Sequence, residues 1–242
     1  MLKRSRQKIK KLLNAFGVEV HRYDPASSPS ARLIAALQAF DIDIVVDIGA
    51  NEGQFAKGLR AGGYTHKIVS FEPLAHAHAK LLENKRHDLA WQVHPRCALG
   101  DQHGEIELNV SENSVSSSVL PMFTTHSSAA PNSVYVGSET VPLTTVDKAV
   151  FPYLENAYAP LLKIDTQGYE WQVLDGALMT LPKVKGILIE LSLVPLYRGQ
   201  HLWRDCVDRL QAEGFELWSL EPAFLDLEVG RTLQWDGLFF RS

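Results

Sequence analysis

Apolar residues fall into short, nearly continuous runs at 44–48, 67–71, 161–164 and 185–191, separated by stretches in which they recur every three or four positions. The runs have the length and β-branched content of strands buried on both faces, and the intervening stretches have the period of helices. The pattern predicts helix 32–40, strand 44–48, helix 54–61, strand 67–71, helix 74–86 and a strand at 90–94 limited by Pro95. It resumes with strand 161–164, helix 169–180, strand 185–191 and helix 201–213, which stops at Gly214, a favoured helix terminator. Segments 215–220 and 233–240 are strands joined only by a loop, so the last pair can run antiparallel. Strands alternating with helices predict an α/β fold, a mostly parallel sheet with helices on both faces.

The middle of the chain departs from this rhythm. Period-2 segments at 105–110 and 139–143 predict a small β insertion. Between them, residues 111–138 are rich in Ser, Asn and Pro, a long loop of the kind that serves as a lid, a binding loop or a mobile segment. At the other end, Ile9, Leu12, Leu13 and Phe16 lie at helical spacing with lysines opposite, which predicts a helix over 5–16 broken by Asp24-Pro-Ala-Ser-Ser-Pro-Ser. The expected organisation is a basic N-terminal helix and linker over 1–30, followed by one domain over 31–242.

Charge sharpens that division. Residues 1–11 hold Lys3, Arg4, Arg6, Lys8, Lys10 and Lys11 without an acid, and the remaining residues carry 18 bases against 28 acids, a balance of −10. An acidic body argues against a nucleic-acid footprint, which needs Lys and Arg spread along a face. The basic helix is a candidate contact with an anionic membrane surface. No apolar stretch approaches the ~20 residues needed to cross a bilayer, and no signal-type segment follows the basic start. The expected location is therefore cytoplasmic, peripheral to the inner face of the membrane if that helix binds it. Cys97 and Cys206 are too few for a disulfide framework and read as reduced, structural thiols.

The richest chemistry lies in 45–53, Val-Val-Asp-Ile-Gly-Ala-Asn-Glu-Gly, where a buried strand runs into a glycine-containing turn and then a helix. Ligands of open α/β sheets bind beyond the C-terminal ends of their strands, where this turn falls. Gly49 and Gly53 are spaced G-x-x-x-G, so the G-x-G-x-x-G dinucleotide fingerprint is not matched. The next strand ends in Phe71-Glu72-Pro73, 23 residues after Gly49. An acid at that register suits the two hydroxyls of a ribose.

These motifs, with Ala98-Leu99-Gly100-Asp101 and Lys163-Ile-Asp-Thr-Gln-Gly-Tyr-Glu170, resemble the FkbM family of S-adenosylmethionine-dependent methyltransferases over roughly residues 40–240. The resemblance implies a class I methyltransferase, Rossmann-like fold, a seven-stranded sheet with an antiparallel last strand. It also implies O-methylation of a hydroxyl on a sugar, a glycan or glycolipid precursor or a secondary metabolite. Carried over by position, the turn formed by Asp47, Gly49, Ala50, Asn51 and Gly53 surrounds the methionine part of S-adenosyl-L-methionine. Phe71, Glu72 and Pro73 lie at the ribose, and Ala98 and Leu99 border the adenine, with Asp101 near the same end. The family's D-x-E-G-x-E reads here as Asp165, Gln167, Gly168 and Glu170, so the middle acid is replaced by an amide.

An alcohol acceptor must lose a proton, and Asp165 and Glu190, each ending a strand beside the expected transfer centre, are the candidate catalytic acids. His94 and His126 are weaker candidates for the same task. His76 and His78 are two apart on a helix and face different directions, so no metal is expected. The Ser-rich loop and Trp171, Tyr197, Trp203 and Trp235 are candidates for contact with the acceptor. Two rival readings share the strand–turn–helix logic: a nicotinamide-dependent oxidoreductase, and a binding protein that keeps a nucleotide pocket without catalysis.

Overall fold

The computed structural model describes residues 11–20 and 23–241. Of the helix expected over 5–16, residues 11–15 are helical and 5–10 lie outside the described residues. The fold proper begins with α1 (Pro29–Ala39), whose first turn is capped by the Ser28 hydroxyl accepting from the Ala31 amide, with Pro29 just inside the start. The helix thus starts three residues before the expected 32, and the division between 30 and 31 falls within its first turn.

The elements that follow are β1 (Ile44–Ile48), α2 (Gln54–Ala61), β2 (Lys67–Phe71), α3 (Ala75–Asn84), β3 (Trp91–Val93), β4 (Ala98–Gly100) and β5 (Gly104–Ser111). Then come α4 (Thr124–Ala129), β6 (Tyr135–Thr145), α5 (Val146–Ala149), β7 (Pro160–Ile164), α6 (Glu170–Asp175), β8 (Gly186–Ser192), α7 (Trp203–Ala212), β9 (Glu216–Asp226) and β10 (Arg231–Phe240). The main sheet has seven strands in the order β3-β2-β1-β7-β8-β10-β9. β3, β2, β1, β7 and β8 are mutually parallel, while β10 runs antiparallel to both β8 and β9. A second sheet, β4-β6-β5, forms the insertion.

Alternate residues of each central strand enter different cores. Ile44, Val46 and Ile48 pack with Val173 and Leu174 of α6 and Leu210 of α7. Val45 packs with Leu37 of α1, Ala56 and Leu59 of α2 and Leu81 of α3. Both faces are dry, which is why the strands read as unbroken apolar runs.

Three expectations are corrected. Residues 98–100 form a strand that pairs parallel to β6 in the second sheet, a short segment with no period of its own. The helix expected to reach 180 ends at Asp175, capped by Gly176. The segment 111–138 is not an open loop. Asn109 and Ser118 form an antiparallel bridge, α4 lies within it, and β6 already begins at Tyr135. Its serines and asparagines bond one another, as in the Asn113 side-chain oxygen accepting from the Ser111 hydroxyl at 2.8 Å and the Ser116 amide at 3.0 Å. Side chains there replace the backbone ladder that a strand would have supplied.

Candidate functional site

In the main sheet the strand order reverses at β1, with β2 on one side and β7 on the other, and a crevice opens beyond the C-terminal ends of such strands. A cavity of about 460 Å³ lies there. It runs from Glu72 after β2, past Gly49 after β1 and Asp165 after β7, to Glu190 on β8 and Asp236 on β10. Of the expected site residues, Gly49, Ala50, Asn51, Phe71, Glu72, Pro73, Ala98, Leu99, Asp165 and Glu190 all line it.

Asp47 and Gly53 do not. The Asp47 side chain is buried in the sheet, and Gly53 turns away from the cavity, where an added Cβ would stand 2.6 Å from the Trp91 ring. Gly53 serves close packing at a φ of +86°. Gly49 is required for a different reason: at φ +79° an added Cβ would lie 1.8 Å from the Asp165 carbonyl oxygen, so the two strand ends approach only because no side chain intervenes.

The β1–β2 end is built largely from backbone. The amides of Gly49 and Ala50 both donate to the Phe71 carbonyl at 3.0 Å, tying the first turn to the tip of β2. The Glu72 carboxylate accepts from the Asn51 amide at 2.7 Å and the Leu74 amide at 2.8 Å, so one side chain sets both turns. Burial pushes the Glu72 pKa up to about 7, with the Leu74 and Asn51 amides pulling the other way. Asn51 donates its side-chain amide to the Ser114 hydroxyl at 3.1 Å, and Ser114, Val115, Ser117 and Val119 close this end of the cavity. Ala98, Leu99 and Leu108 supply an apolar wall.

The β7–β8 end is built from ionisable side chains. Lys163, Asp47 and Ser70 occupy one row across β7, β1 and β2. The Trp91 indole donates to the Ser70 hydroxyl at 2.9 Å, which donates to Asp47 at 3.3 Å. The Lys163 ammonium stands 3.2 Å from Asp47 and 3.1 Å from Asp165, and donates to the Gly49 carbonyl at 3.2 Å. Burial alone would lower the Lys163 pKa, but Asp165 and Asp47 more than reverse this and raise it, so the ammonium stays charged. Burial raises Asp47 and Lys163 opposes it.

Beyond Asp165, the Gln167 amide donates to Asp165 at 2.9 Å and to Glu190 at 2.8 Å. Burial, then the neighbouring Asp165, Glu170 and Asp236 charges, hold Glu190 well above the usual carboxylate range. Asp236, paired in register with Glu190, is raised to about 6 by burial and by Asp165. Asp165, beside a lysine, and Glu190, whose burial favours its protonated form, thus stand on either side of one amide.

Other candidates lie elsewhere. His126 is buried against Tyr197 and Phe224, bonds Ser133 at 3.0 Å, and has its pKa lowered to about 4 by burial. His94 packs against Phe71 and Tyr153, away from the cavity lining, which also lacks Asp101. The aromatics do not line it: Trp171 stacks on His201 at 4.0 Å, Trp203 and Trp235 pack on the core, and Tyr197 is fully buried. Sequence reasoning missed Lys163, Asp236, and the α1 residues Pro29, Ser30, Arg32 and Leu33 that reach the same cavity. Only Lys163 had a signal, a charge inside the run Leu161-Leu-Lys-Ile164.

A seven-stranded sheet of this order, with its penultimate position in space taken by an antiparallel strand and a crevice at the switch point, defines the class I methyltransferase fold. Within that class, residues 47–217 match the methyltransferase FkbM domain, and the chain belongs to the FkbM family of S-adenosylmethionine-dependent methyltransferases. No curated protein matches.

Solved structures similar to it include a TehB-like S-adenosylmethionine-dependent methyltransferase from Corynebacterium glutamicum, 11% identical over 99% of this chain and 97% of that one, with a TM-score of 0.42. Magnesium protoporphyrin IX methyltransferase from Synechocystis, with bound S-adenosylmethionine, is 12% identical over 98% and 96%, with a TM-score of 0.45. An rRNA methylase from Streptococcus thermophilus is 11% identical over 89% and 97%, with a TM-score of 0.46.

Proposed function

We propose that the protein transfers a methyl group from S-adenosyl-L-methionine to a hydroxyl of a sugar, a glycan or glycolipid precursor or a secondary metabolite. The observation that carries this reading is one continuous cavity with a ribose-type acid, Glu72, at one end and the Asp165–Glu190 carboxyl pair at the other. The residues present fit the cofactor. A volume of about 460 Å³ is within the range of small-molecule sites, the Ala98–Leu99–Leu108 wall suits a purine, and the carboxylates near Gly49 suit a positive charge. Glu72 would hold the ribose hydroxyls, and the Gly49–Ala50–Asn51 turn would hold the methionine part.

S-Adenosylmethionine supplies an electrophilic methyl on a positively charged sulfur. The chain's part is alignment and proton removal. The walls from β8, β10 and α1 would position the acceptor hydroxyl beside the cofactor, and such positioning is a large part of what an enzyme can contribute. Asp165 would take up the proton of the acceptor hydroxyl, the sulfur leaving as a neutral thioether. The Lys163 ammonium, 3.1 Å away, holds the Asp165 carboxylate in place for that role.

Isothermal titration calorimetry with S-adenosylmethionine and with NADH tests the cofactor half, with selective binding of the first expected; a preference for NADH would return the oxidoreductase reading. Labelled-methyl transfer into extracts of the source cell, with mass analysis of the product, tests the acceptor half. Binding without incorporation would favour a non-catalytic protein.

A further inference from the structure

Gln167 stands where charge alone would favour trouble, between two carboxyl groups. Its side-chain nitrogen reaches Asp165 at 2.9 Å and Glu190 at 2.8 Å, which uses both of its hydrogens. Its side-chain oxygen accepts from the Tyr197 hydroxyl at 2.8 Å, and its main-chain carbonyl accepts from the Ser118 hydroxyl at 2.6 Å. Tyr197 and Ser118 are both fully buried. The residue is held at a φ of +54°, in the left-handed region that a glutamine seldom occupies. The turn around it is pinned separately by Glu170, whose carboxylate accepts from the Thr166 and Gly168 amides at 3.0 Å. The reverse amide orientation would aim its oxygen at two carboxyl groups, so the charges themselves select the one observed.

We propose that Gln167 is a positioning residue: its amide, keyed by Tyr197 and Ser118, clamps the Asp165 and Glu190 carboxyls into one frame, with the Lys163 ammonium on the Asp165 side alone. The asymmetry comes from the neighbours. Asp165 has the Lys163 ammonium at 3.1 Å, whereas Glu190 meets the Gln167 and Gln234 amides. The other titratable groups facing the pair are Asp47 on β1, Glu170 on α6, Asp236 on β10 and the Tyr197 hydroxyl; the Asp165, Glu170 and Asp236 charges join burial in raising Glu190. An ionised glutamate at 167 would offer no donor and add another charge, whereas the amide gives one hydrogen to each carboxyl. The inference rests on the assignment of Asp165 as the proton acceptor, and it deepens that assignment by explaining how the acceptor stays fixed.

The test is carboxyl carbon NMR of the full chain labelled in Asp and Glu, titrated without cofactor or acceptor, with the Glu190 resonance assigned through Glu190→Gln. Gln167→Asn suits the backbone, since asparagine tolerates the left-handed region, but it withdraws the amide by one methylene. Tyr197→Phe leaves Gln167 in place and removes its key. Each substitution is expected to raise the Glu190 midpoint further, by about one pH unit for Gln167→Asn and by less for Tyr197→Phe, because the ionised form loses a donor. A Glu190 midpoint equal to the unmodified protein's in Gln167→Asn, or in Tyr197→Phe should the first variant not fold, overturns the clamp. The titration needs no turnover, so its failure leaves methyl transfer standing, and a failed transfer assay leaves the clamp standing.

Discussion

The two ends of the cavity are made by opposite means. At the β1–β2 end, one glutamate receives main-chain amides at 2.7 and 2.8 Å, and the turns around it are bonded backbone to backbone. At the β7–β8 end, five ionisable groups and an amide from four strands and a turn hold one another, and little main chain takes part. Backbone turns present a fixed surface to a ligand that every turnover shares. Side-chain clusters can be retuned by a single substitution, and a proton must move somewhere that charge can be redistributed. On the function proposed above, the first end is the cofactor's and the second the acceptor's.

Lys163 joins the two ends, and its loss has the largest expected effect. Lys163→Met leaves Asp47 and Asp165 without their cation, and loss of one partner of a buried ion pair costs about 3–5 kcal/mol. Urea unfolding is expected to show that loss. A stability within 1 kcal/mol or so of the unmodified protein would mean that the ion pairs are incidental.

Asp165→Asn is expected to lower methyl transfer by roughly 10²-fold or more, the lower range for removing a general base, with cofactor affinity nearly unchanged. Equal losses in turnover and in affinity would merge the two ends into one. Glu72→Ala has the complementary expectation: cofactor binding weakens by about 1–3 kcal/mol as charge-assisted bonds are lost. Calorimetry reads it directly, and an unchanged affinity would take Glu72 out of the site.

The smallest effect is in pH. Glu72, with a pKa of about 7 in the folded protein, gains its charge between pH 6 and 8, so cofactor affinity should rise over that interval, by less than about tenfold. Glu72→Gln should flatten the rise. Stability without ligand should move in the opposite direction. Glu72 and Glu170 at about 7 and Asp236 at about 6 bind protons more tightly folded than unfolded. Their contribution is therefore full below the ordinary carboxylate range and lost as pH rises through 6 to 7. A thermal midpoint that climbs from pH 5 to 8 would contradict those assignments.

The β1–β2 end was legible because its signals are local. Gly49, Asn51 and Glu72 sit within 24 residues, and each lies at the end of a strand announced by its own apolar run. The same locality misled at Asp47 and Gly53, whose neighbours in the chain line the cavity while they face the sheet and the Trp91 ring. Asp47 is on a strand, whose successive side chains point to opposite faces, and Gly53 caps the helix that follows; a motif read as a string carries neither distinction. The serine-rich segment was legible in composition only. Its order comes from side-chain bonds among Ser111, Asn113, Ser116 and Ser117, which no hydrophobic period reports.

From sequence alone follow the strand and helix order, the parallel sheet, the glycine turn and its acid, and the family to which the motifs belong. All of these depend on neighbours along the chain: periodicity, turn chemistry and spacing. Tertiary structure alone decided that Lys163 would join Asp47 to Asp165, that Asp236 would face Glu190, that α1 would wall the same cavity, and that Gln167 would lie between two carboxyls. Those contacts cross separations of up to about two hundred residues, and only the closing of the sheet brings such charges near enough to set one another's protonation.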